Sequence, residues 1–267
     1  MKPFLKWAGG KYRLLPKIMA SLPPGSRLIE PFLGSAALFL NTQYSQYLLA
    51  DANGDLISTY DLLKKEGKTF INYCREFFIP EYNNRDSYVE FRETFNHTID
   101  IRLKSALFIY LNRHCYNGLC RYNSIGKFNT PFGTYKNPYF PETEMLHFYT
   151  HSKNADFRHA NFTEILSQAA PGDVIYCDPP YVPLSKTANF TQYIQEKFTQ
   201  TQQKQLADFA RSLANKGIPV IISNHANDYI MDLYHDADIQ LFDVKRTISR
   251  DIKNRKPTRE ILAVFKP

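Results

Sequence analysis

Asp173-Val-Ile-Tyr-Cys-Asp178-Pro179-Pro180-Tyr181 is the stretch whose reading decides the fold. Val174 to Cys177 is short and apolar throughout, the pattern of a strand buried on both faces of a parallel sheet. Pro179 and Pro180 have no amide hydrogen for a ladder and fix φ, so the strand stops there with its last carbonyls facing outward. A carboxylate (Asp178), a free carbonyl (Pro179) and a phenol ring (Tyr181) therefore stand at a strand's C-terminal end, the edge where open α/β sheets bind ligands. The group suits transfer to a weakly nucleophilic amine conjugated to a ring. Asp178 can accept one amine hydrogen and the Pro179 carbonyl the other, drawing the nitrogen lone pair out of conjugation, while Tyr181 stacks on the flat base. By itself an Asp-Pro-Pro turn more often only ends a strand; the rest of the chain reverses that balance.

Toward the N-terminus, Arg27-Leu-Ile-Glu30-Pro-Phe32-Leu-Gly34-Ser35 reads as a short strand and tight turn, with a helix expected from Ser35 to Leu40. Such a unit binds nucleoside cofactors, but G-x-G-x-x-G is absent, which counts against a nicotinamide dinucleotide. A second strand, Tyr47 to Asp51, ends in an acid that can accept hydrogen bonds from both hydroxyls of a ribose. A cofactor with a ribose and no pyrophosphate is the natural reading. Earlier still, Gly9 and Gly10 lie between Trp7, the only tryptophan, and Lys11. Paired glycines let backbone approach a ligand closely, and Lys11 can hold a ligand carboxylate. This is not a phosphate-cradling loop, because Leu5 or Lys6 stands where its first glycine belongs.

Toward the C-terminus, Phe157 to Phe162 reads as a weak strand, and Thr199 to Asn215 as an amphipathic helix with Thr199 as N-cap and Gly217 as its stop. Strands follow at Ile218 to His225, Ile239 to Val244 and Glu260 to Phe265. Pro183 to Lys197 is polar and too long for a turn, a loop placed to close over a bound base. Lys245 to Arg259 holds seven Lys or Arg against one acid, Asp251, and adds phosphate contacts if it faces a nucleic acid.

Residues 55 to 149 break the strand and helix rhythm. Helical spacing over Asp61 to Ile79, Ser87 to Phe95 and Ile101 to Asn112 suggests an inserted module, leaving 1–54 and 150–267 as the catalytic domain. From Tyr110 to Phe140, Arg113, Arg121, Lys127 and Lys136 alternate with Tyr116, Tyr122, Phe128, Phe132, Tyr135 and Tyr139, with a hairpin turn at Asn123 to Gly126. Interleaved cations and rings suit a surface that grips phosphate and probes bases. A small aromatic core is the competing reading.

Composition agrees. The 267 residues carry a net charge of +7, a pI near 9.1, 43% hydrophobic and 15% aromatic residues, which favours a polyanionic partner over a membrane surface. No apolar run approaches the ~18 residues needed to span a bilayer, and Met1 to Lys6 has no signal-like apolar stretch, so a cytoplasmic, nucleoid-associated location is expected. The four cysteines form no C-x-x-C pair. Neither His114 and Cys115 with Cys120, nor His147 with His151, has zinc-site spacing, so no metal is expected. The deaminase pattern H-x-E followed by P-C-x-x-C is missing. No coiled-coil pattern or large apolar face is evident, and a monomer is expected.

Six segments, Phe4 to Lys11, Glu30 to Gly34, Tyr116-Asn-Gly-Leu119-Cys-Arg121-Tyr-Asn, Asp178 to Tyr181, Asn189-Phe-Thr191 and Ser223-Asn-His225, occur in the order found in the Dam family of DNA adenine methyltransferases, which the sequence closely resembles. The resemblance implies a Rossmann-like α/β fold, a seven-stranded methyltransferase sheet with an inserted helical DNA-recognition domain. It implies methyl transfer from S-adenosylmethionine to the exocyclic amine of adenine in double-stranded DNA at GATC, with the base swung out of the stack. Trp7, Lys11, Asp51 and Asp178 match cofactor-contacting positions; Phe162 is placed beside the cofactor adenine, and Glu30, Phe32 and Gly34 belong to the same cofactor turn. Asp178, Pro179 and Tyr181 match residues that hold the flipped base. Lys6, Tyr116, Asn117, Leu119, Arg121, Pro131 and Tyr135 match residues that touch DNA. No cysteine nucleophile is evident beside Asp178, so a direct in-line displacement without covalent intermediate or metal is expected. The competing readings are a methyltransferase acting on RNA or on the cytosine amine, and a duplex-binding protein without activity. Two departures stand out. The second glycine of the family's F-x-G-x-G turn is Ala36, expected in helical geometry with slight crowding of the cofactor, and the stretch around Thr134 lacks an arginine that relatives place before the tyrosine.

Overall fold

The computed structural model describes residues 1–181, 198–244 and 258–267. The expected closing loop at 183–197, with Asn189 to Thr191, and the basic tip at 245–257 lie outside them. The described chain runs α1 (Leu15–Ser21), β1 (Arg27–Glu30), β2 (Gln46–Asp51), α2 (Gly54–Glu66), α3 (Lys68–Arg75), α4 (Arg85–His97), α5 (Ile101–His114), α6 (Glu142–His151), β3 (Ala155–His159), α7 (Phe162–Leu166), β4 (Asp173–Cys177), α8 (Gln200–Ala214), β5 (Val220–His225), α9 (Asp228–Leu233), β6 (Asp238–Val244) and β7 (Thr258–Phe265). The strands form one seven-stranded sheet in the order β3-β2-β1-β4-β5-β7-β6. All neighbours are parallel up to β5, and β7 then pairs antiparallel with both β5 and β6.

Strand alternation divides the core between the two faces. Leu28, Tyr47, Leu49, Val174, Tyr176, Ile221, Leu262 and Val264 join one apolar cluster with α1 through α6. Ile29, Leu48, Ala50, Ile175, Cys177, Val220, Ile222, Ile261 and Ala263 join the other with α7, α8 and α9. Side chains along a strand point to opposite faces, so strands apolar at every position must be covered on both sides. The order reverses between β1 and β4, and it is there, beyond the carboxyl ends, that such sheets form a ligand crevice.

The helical insert shares its core with the sheet: Phe70, Tyr88, Phe95, Phe108 and Phe128 belong to the same cluster as Leu28 and Val174. α5 is its axis, with Ser105 to His114 all buried. The helical pattern expected over Asp61 to Ile79 is two helices, because Gly67 takes φ 54° between them. α8 begins as expected, with Thr199 and Gln202 completing a reciprocal capping box, an arrangement that stabilises a helix start by about 1 kcal/mol.

Three local expectations are corrected. Phe162 does not end a strand; β3 stops at His159 and Phe162 opens α7, with the Asn161 side chain capping Thr163. Arg113 does not face solvent: it is 8% exposed and donates to the Phe4 carbonyl. Ser35 to Leu40 is no α-helix; the chain turns, and only a 3-10 turn forms at Phe39–Asn41. Ala36 is accordingly not helical but left-handed, with φ 61°, and wholly buried. A Cβ in that region costs roughly 1–2 kcal/mol, against which glycine's extra freedom in the unfolded chain subtracts somewhat less. Ala36→Gly is expected to stabilise the protein by roughly 0.5–1 kcal/mol in urea unfolding; a net loss would mean that packing of the buried methyl outweighs the backbone strain.

Candidate active site

At the end of β4 the prolines act as expected, and the neighbouring elements then fix the acid. From β5, Ser223 Oγ donates to Asp178 Oδ1 at 2.8 Å and itself accepts from the Tyr176 hydroxyl at 3.1 Å. Lys11 Nζ lies 3.0 Å from the same Oδ1 and donates to the Gly9 carbonyl at 3.0 Å. Asp178 Oδ2 and the Pro179 carbonyl take no hydrogen bond from any described residue, whereas the Pro180 carbonyl accepts from Gln203 at 3.1 Å. Pro179 is itself buried and Asp178 half-buried, so these two acceptors, unbonded by any described residue, lie recessed at the sheet edge.

Tyr181 is gripped on several sides. Its hydroxyl donates to Glu260 Oε2 of β7 at 3.2 Å, Lys11 Nζ sits 4.5 Å from its ring centroid, and the His225 ring meets it edge-on at 4.4 Å. Burial, then the Asp178 charge, push the phenol well above its usual range, so it stays a neutral donor. Lys11 is also 4.0 Å from Glu260. Its ammonium is therefore directed to the two site acids.

The adjacent turn after β1 is held by Asp51. Its two carboxylate oxygens accept from the amides of Gly34 and Asn53, each at 2.9 Å, and burial raises its pKa. Tyr60 donates to the Gly34 carbonyl at 2.8 Å. Gly34 has φ 49°, and a Cβ there would come within 3.0 Å of the Trp7 indole, so backbone and ring approach more closely than any other residue allows. On the other side, Phe32 stacks on Phe162 at 5.5 Å and both meet Phe198 edge-on. Phe198, Ser223 and Glu260 escaped sequence reasoning as site residues; Ser223 lay in a quoted motif, but Phe198 and Glu260 carried no local signal.

The expected DNA-contacting residues also converge, on the loop after α5. Isolated bridges Cys115 to Phe132 and Tyr122 to Phe128 close a hairpin, and the Asn123 to Gly126 turn forms as expected. Tyr116, Asn117, Arg121 and Pro131 are exposed on it and Leu119 is half-buried, its carbonyl accepting from Thr130. Arg121 Nε and Nη2 are anchored to Asn129 at 2.7 and 3.1 Å. Tyr135 accepts from the Asn117 amide at 3.0 Å, and Lys6 Nζ lies 4.3 Å from the Tyr135 ring. The competing core reading holds for part of the segment: Phe128 is buried, and Tyr122 donates to Asp55 at 2.8 Å.

A parallel sheet that reverses at β1 and β4, with an acid, a free carbonyl and a ring at that crevice, defines a group-transfer enzyme acting on a planar amine. Residues 7–248 match the family model described as D12 class N6 adenine-specific DNA methyltransferase. The chain is 48% identical over 266 residues to the DNA adenine methylase of Escherichia coli (strain K12), covering 100% of this chain and 96% of that protein. It is 47% identical to the DNA adenine methylase of Serratia marcescens, with 99% and 98% covered, and 46% identical to that of Vibrio cholerae serotype O1 (strain ATCC 39541), with 100% and 96% covered. The chain belongs to the D12 class of N6 adenine-specific DNA methyltransferases. It is an S-adenosylmethionine-dependent enzyme that methylates adenine in DNA.

Glu30, at the end of β1, gives the site an observable pH signature. It is 2% exposed, its Oε1 has no hydrogen-bond partner among the described residues, and burial raises its pKa to about 8 against the opposing pull of the Phe39 amide, with the Asp178 charge adding to the rise. The folded protein keeps this proton where the unfolded chain has lost it, so the stabilisation is complete below about pH 4.5 and disappears as pH rises to about 8. Glu30→Gln is expected to flatten the fall in unfolding free energy between those limits, by up to a few kcal/mol. Denaturant titrations of both proteins at pH 5 and pH 8 check this, and parallel curves would show that Glu30 is ionised in the fold.

Proposed function

We propose that the enzyme methylates the exocyclic amine of an adenine rotated out of double-stranded DNA at GATC, with residues 55–149 reading the sequence and the remainder holding donor and base. The observation that carries the reading is the pair of acceptors, Asp178 Oδ2 and the Pro179 carbonyl, that no described residue bonds, beside the Tyr181 ring. An adenine amine has two hydrogens for those acceptors, and a base inside a duplex cannot reach such a site unless flipped. Accepting both hydrogens pyramidalises the nitrogen and aims its lone pair outward.

Bound S-adenosylmethionine supplies an electrophilic methyl group on a sulfonium. The crevice fits it: Asp51 has further lone pairs for ribose hydroxyls, and Phe32, stacked on the buried Phe162, offers a flat apolar surface for an adenine ring. Cys177 supports direct transfer, for its thiol lies wholly buried in the cluster beneath the sheet with its pKa raised by burial. Attack by the amine nitrogen on the methyl carbon would form the N–C bond as the S–C bond breaks, with the donor leaving as a neutral thioether and the nitrogen giving up one hydrogen as a proton toward Asp178.

The exposed Tyr116, Asn117, Arg121 and Pro131, with Lys6, Leu119 and Tyr135, form the proposed DNA-reading surface. Arg121 is tied to Asn129 through Nε and one Nη, which orients the guanidinium and leaves its remaining hydrogens for a guanine edge. We also propose that the enzyme acts as a monomer on nucleoid DNA.

Two substitutions test the reading by tritiated methyl transfer and gel shift. Asp178→Ala is expected to lower turnover by at least roughly 100- to 1000-fold with DNA affinity changed only a few-fold; full activity would remove the acid from the chemistry. Arg121→Ala is expected to relax sequence choice by about 1–3 kcal/mol, whereas equal weakening on all duplexes would make Arg121 a phosphate contact. Transfer to single-stranded RNA in preference to duplex DNA would overturn the substrate assignment.

A further inference from the structure

Lys6 belongs to the proposed DNA-reading surface, yet it lies on the N-terminal segment that also carries Trp7 and Lys11 of the crevice. A buried amide is among the links that join that segment to the loop after α5. Asn112, in the last turn of α5, is 0% exposed. Its Oδ1 accepts from the Lys6 amide at 2.8 Å and its Nδ2 donates to the Lys6 carbonyl at 2.7 Å. A backbone amide only donates and a carbonyl only accepts, so this pairing fixes which side-chain atom is oxygen and which nitrogen. Asn112 thus pairs with Lys6 as a neighbouring strand would.

The same Nδ2 also lies 3.4 Å from the Gly118 carbonyl and 3.4 Å from Cys120 Sγ, both on the loop of proposed base contacts. Gly118 has φ 66°, and a Cβ there would come within 2.5 Å of the Lys6 side chain, so loop and lysine are in direct contact. The ring closes through Tyr135, which lies under the Lys6 ammonium and accepts from the Asn117 amide. A buried polar side chain that late in an apolar helix is costly unless satisfied, and here every bond it makes runs between the two segments.

We propose that Asn112 is a positioning residue that ties the DNA-reading loop to the Phe4 to Lys11 segment, so that a correct sequence and a correctly placed crevice are achieved together. The proposal rests on the role given above to Lys6 and the 116–121 loop. Asn112 touches neither DNA nor the reacting atoms. It sets where Lys6 and Gly118 stand relative to each other, and Lys6 cannot shift without moving the chain that leads to Trp7 and Lys11.

The test compares kcat/KM on a GATC duplex and on a duplex with one base pair of the site changed, together with KM for S-adenosylmethionine and Tm. Asn112→Leu keeps the branched shape of the side chain, at a somewhat larger volume, and removes both Lys6 bonds; Gly118→Ala perturbs the same junction from the other side. Each is expected to reduce the discrimination ratio about tenfold or more, mainly through kcat on the GATC duplex, with KM for the donor within about twofold of the parent. Equal loss on both duplexes accompanied by a lower Tm would show a purely structural role and overturn the proposal, as would an unchanged ratio. Should Asn112→Leu not fold, the Gly118→Ala ratio decides alone. A parent enzyme that fails to distinguish the two duplexes would instead refute the reading of the 116–121 loop.

Discussion

Every feature of the crevice depends on β4 being unable to continue. Pro179 and Pro180 deny the ladder two donors in succession, so the backbone leaves the sheet while β5 beside it still runs on to His225. That difference in length sets Ser223 level with Asp178 and lets a hydroxyl from the longer strand fix the acid's orientation. It also brings Glu260, opposite His225 in the β5 and β7 register, within reach of the Tyr181 hydroxyl. If the strand ran on, Asp178 and Tyr181 would be ladder residues with their polar backbone atoms spent on neighbours. A stop, rather than a loop insertion, is what exposes an acceptor pair on rigid support.

The electrostatics of this corner follow from crowding three acids around one cation. Glu30, Asp178 and Glu260 gather at the carboxyl end of the sheet with Lys11 as the ammonium between the latter two. Burial above all, with the Asp178 charge adding to it, raises the Glu30 pKa to about 8, so this acid retains its proton beside the other two. Lys11 is held by geometry as much as by charge, since the Gly9 carbonyl and the Tyr181 ring take up the directions that the acids leave.

The parts of this arrangement that sequence could reveal were those written in local chemistry. The stop at Pro179, the strand alternation, the Thr199 cap and the Asn123 hairpin each rest on a few adjacent residues, and each formed where expected. The errors have a common cause. Ser35 to Leu40 has helical composition, but Asp51 and Tyr60, distant in sequence, hold Gly34 in a turn that sends Ala36 into left-handed backbone. Arg113 looks like a surface cation until α5 proves to be the axis of the insert, which buries one residue of every orientation near its end. Glu260 reads only as the start of a strand, because its meaning lies in a β7 register and in Tyr181, 79 positions away. Tertiary partners override local tendency where the site is built, and these are the positions a single sequence leaves blank.

The N-terminal segment shows how two tasks separated along the chain are made mechanically one. Phe4 and Leu5 are buried in the cluster that the sheet shares with the helical insert, so the segment between them and Lys11 has a fixed root. From that root, Lys6 points toward the loop after α5, Trp7 toward the turn after β1, and Lys11 toward the end of β4. Three elements from distant parts of the chain thereby share one short stretch of backbone as a common wall. A displacement at any one of them is a displacement at all three, since a close-packed interior transmits strain instead of absorbing it. On the roles proposed for Lys6 and the 116–121 loop, a shared backbone with buried bonds on both sides makes base reading and base chemistry depend on the same coordinates without a long-range conformational switch.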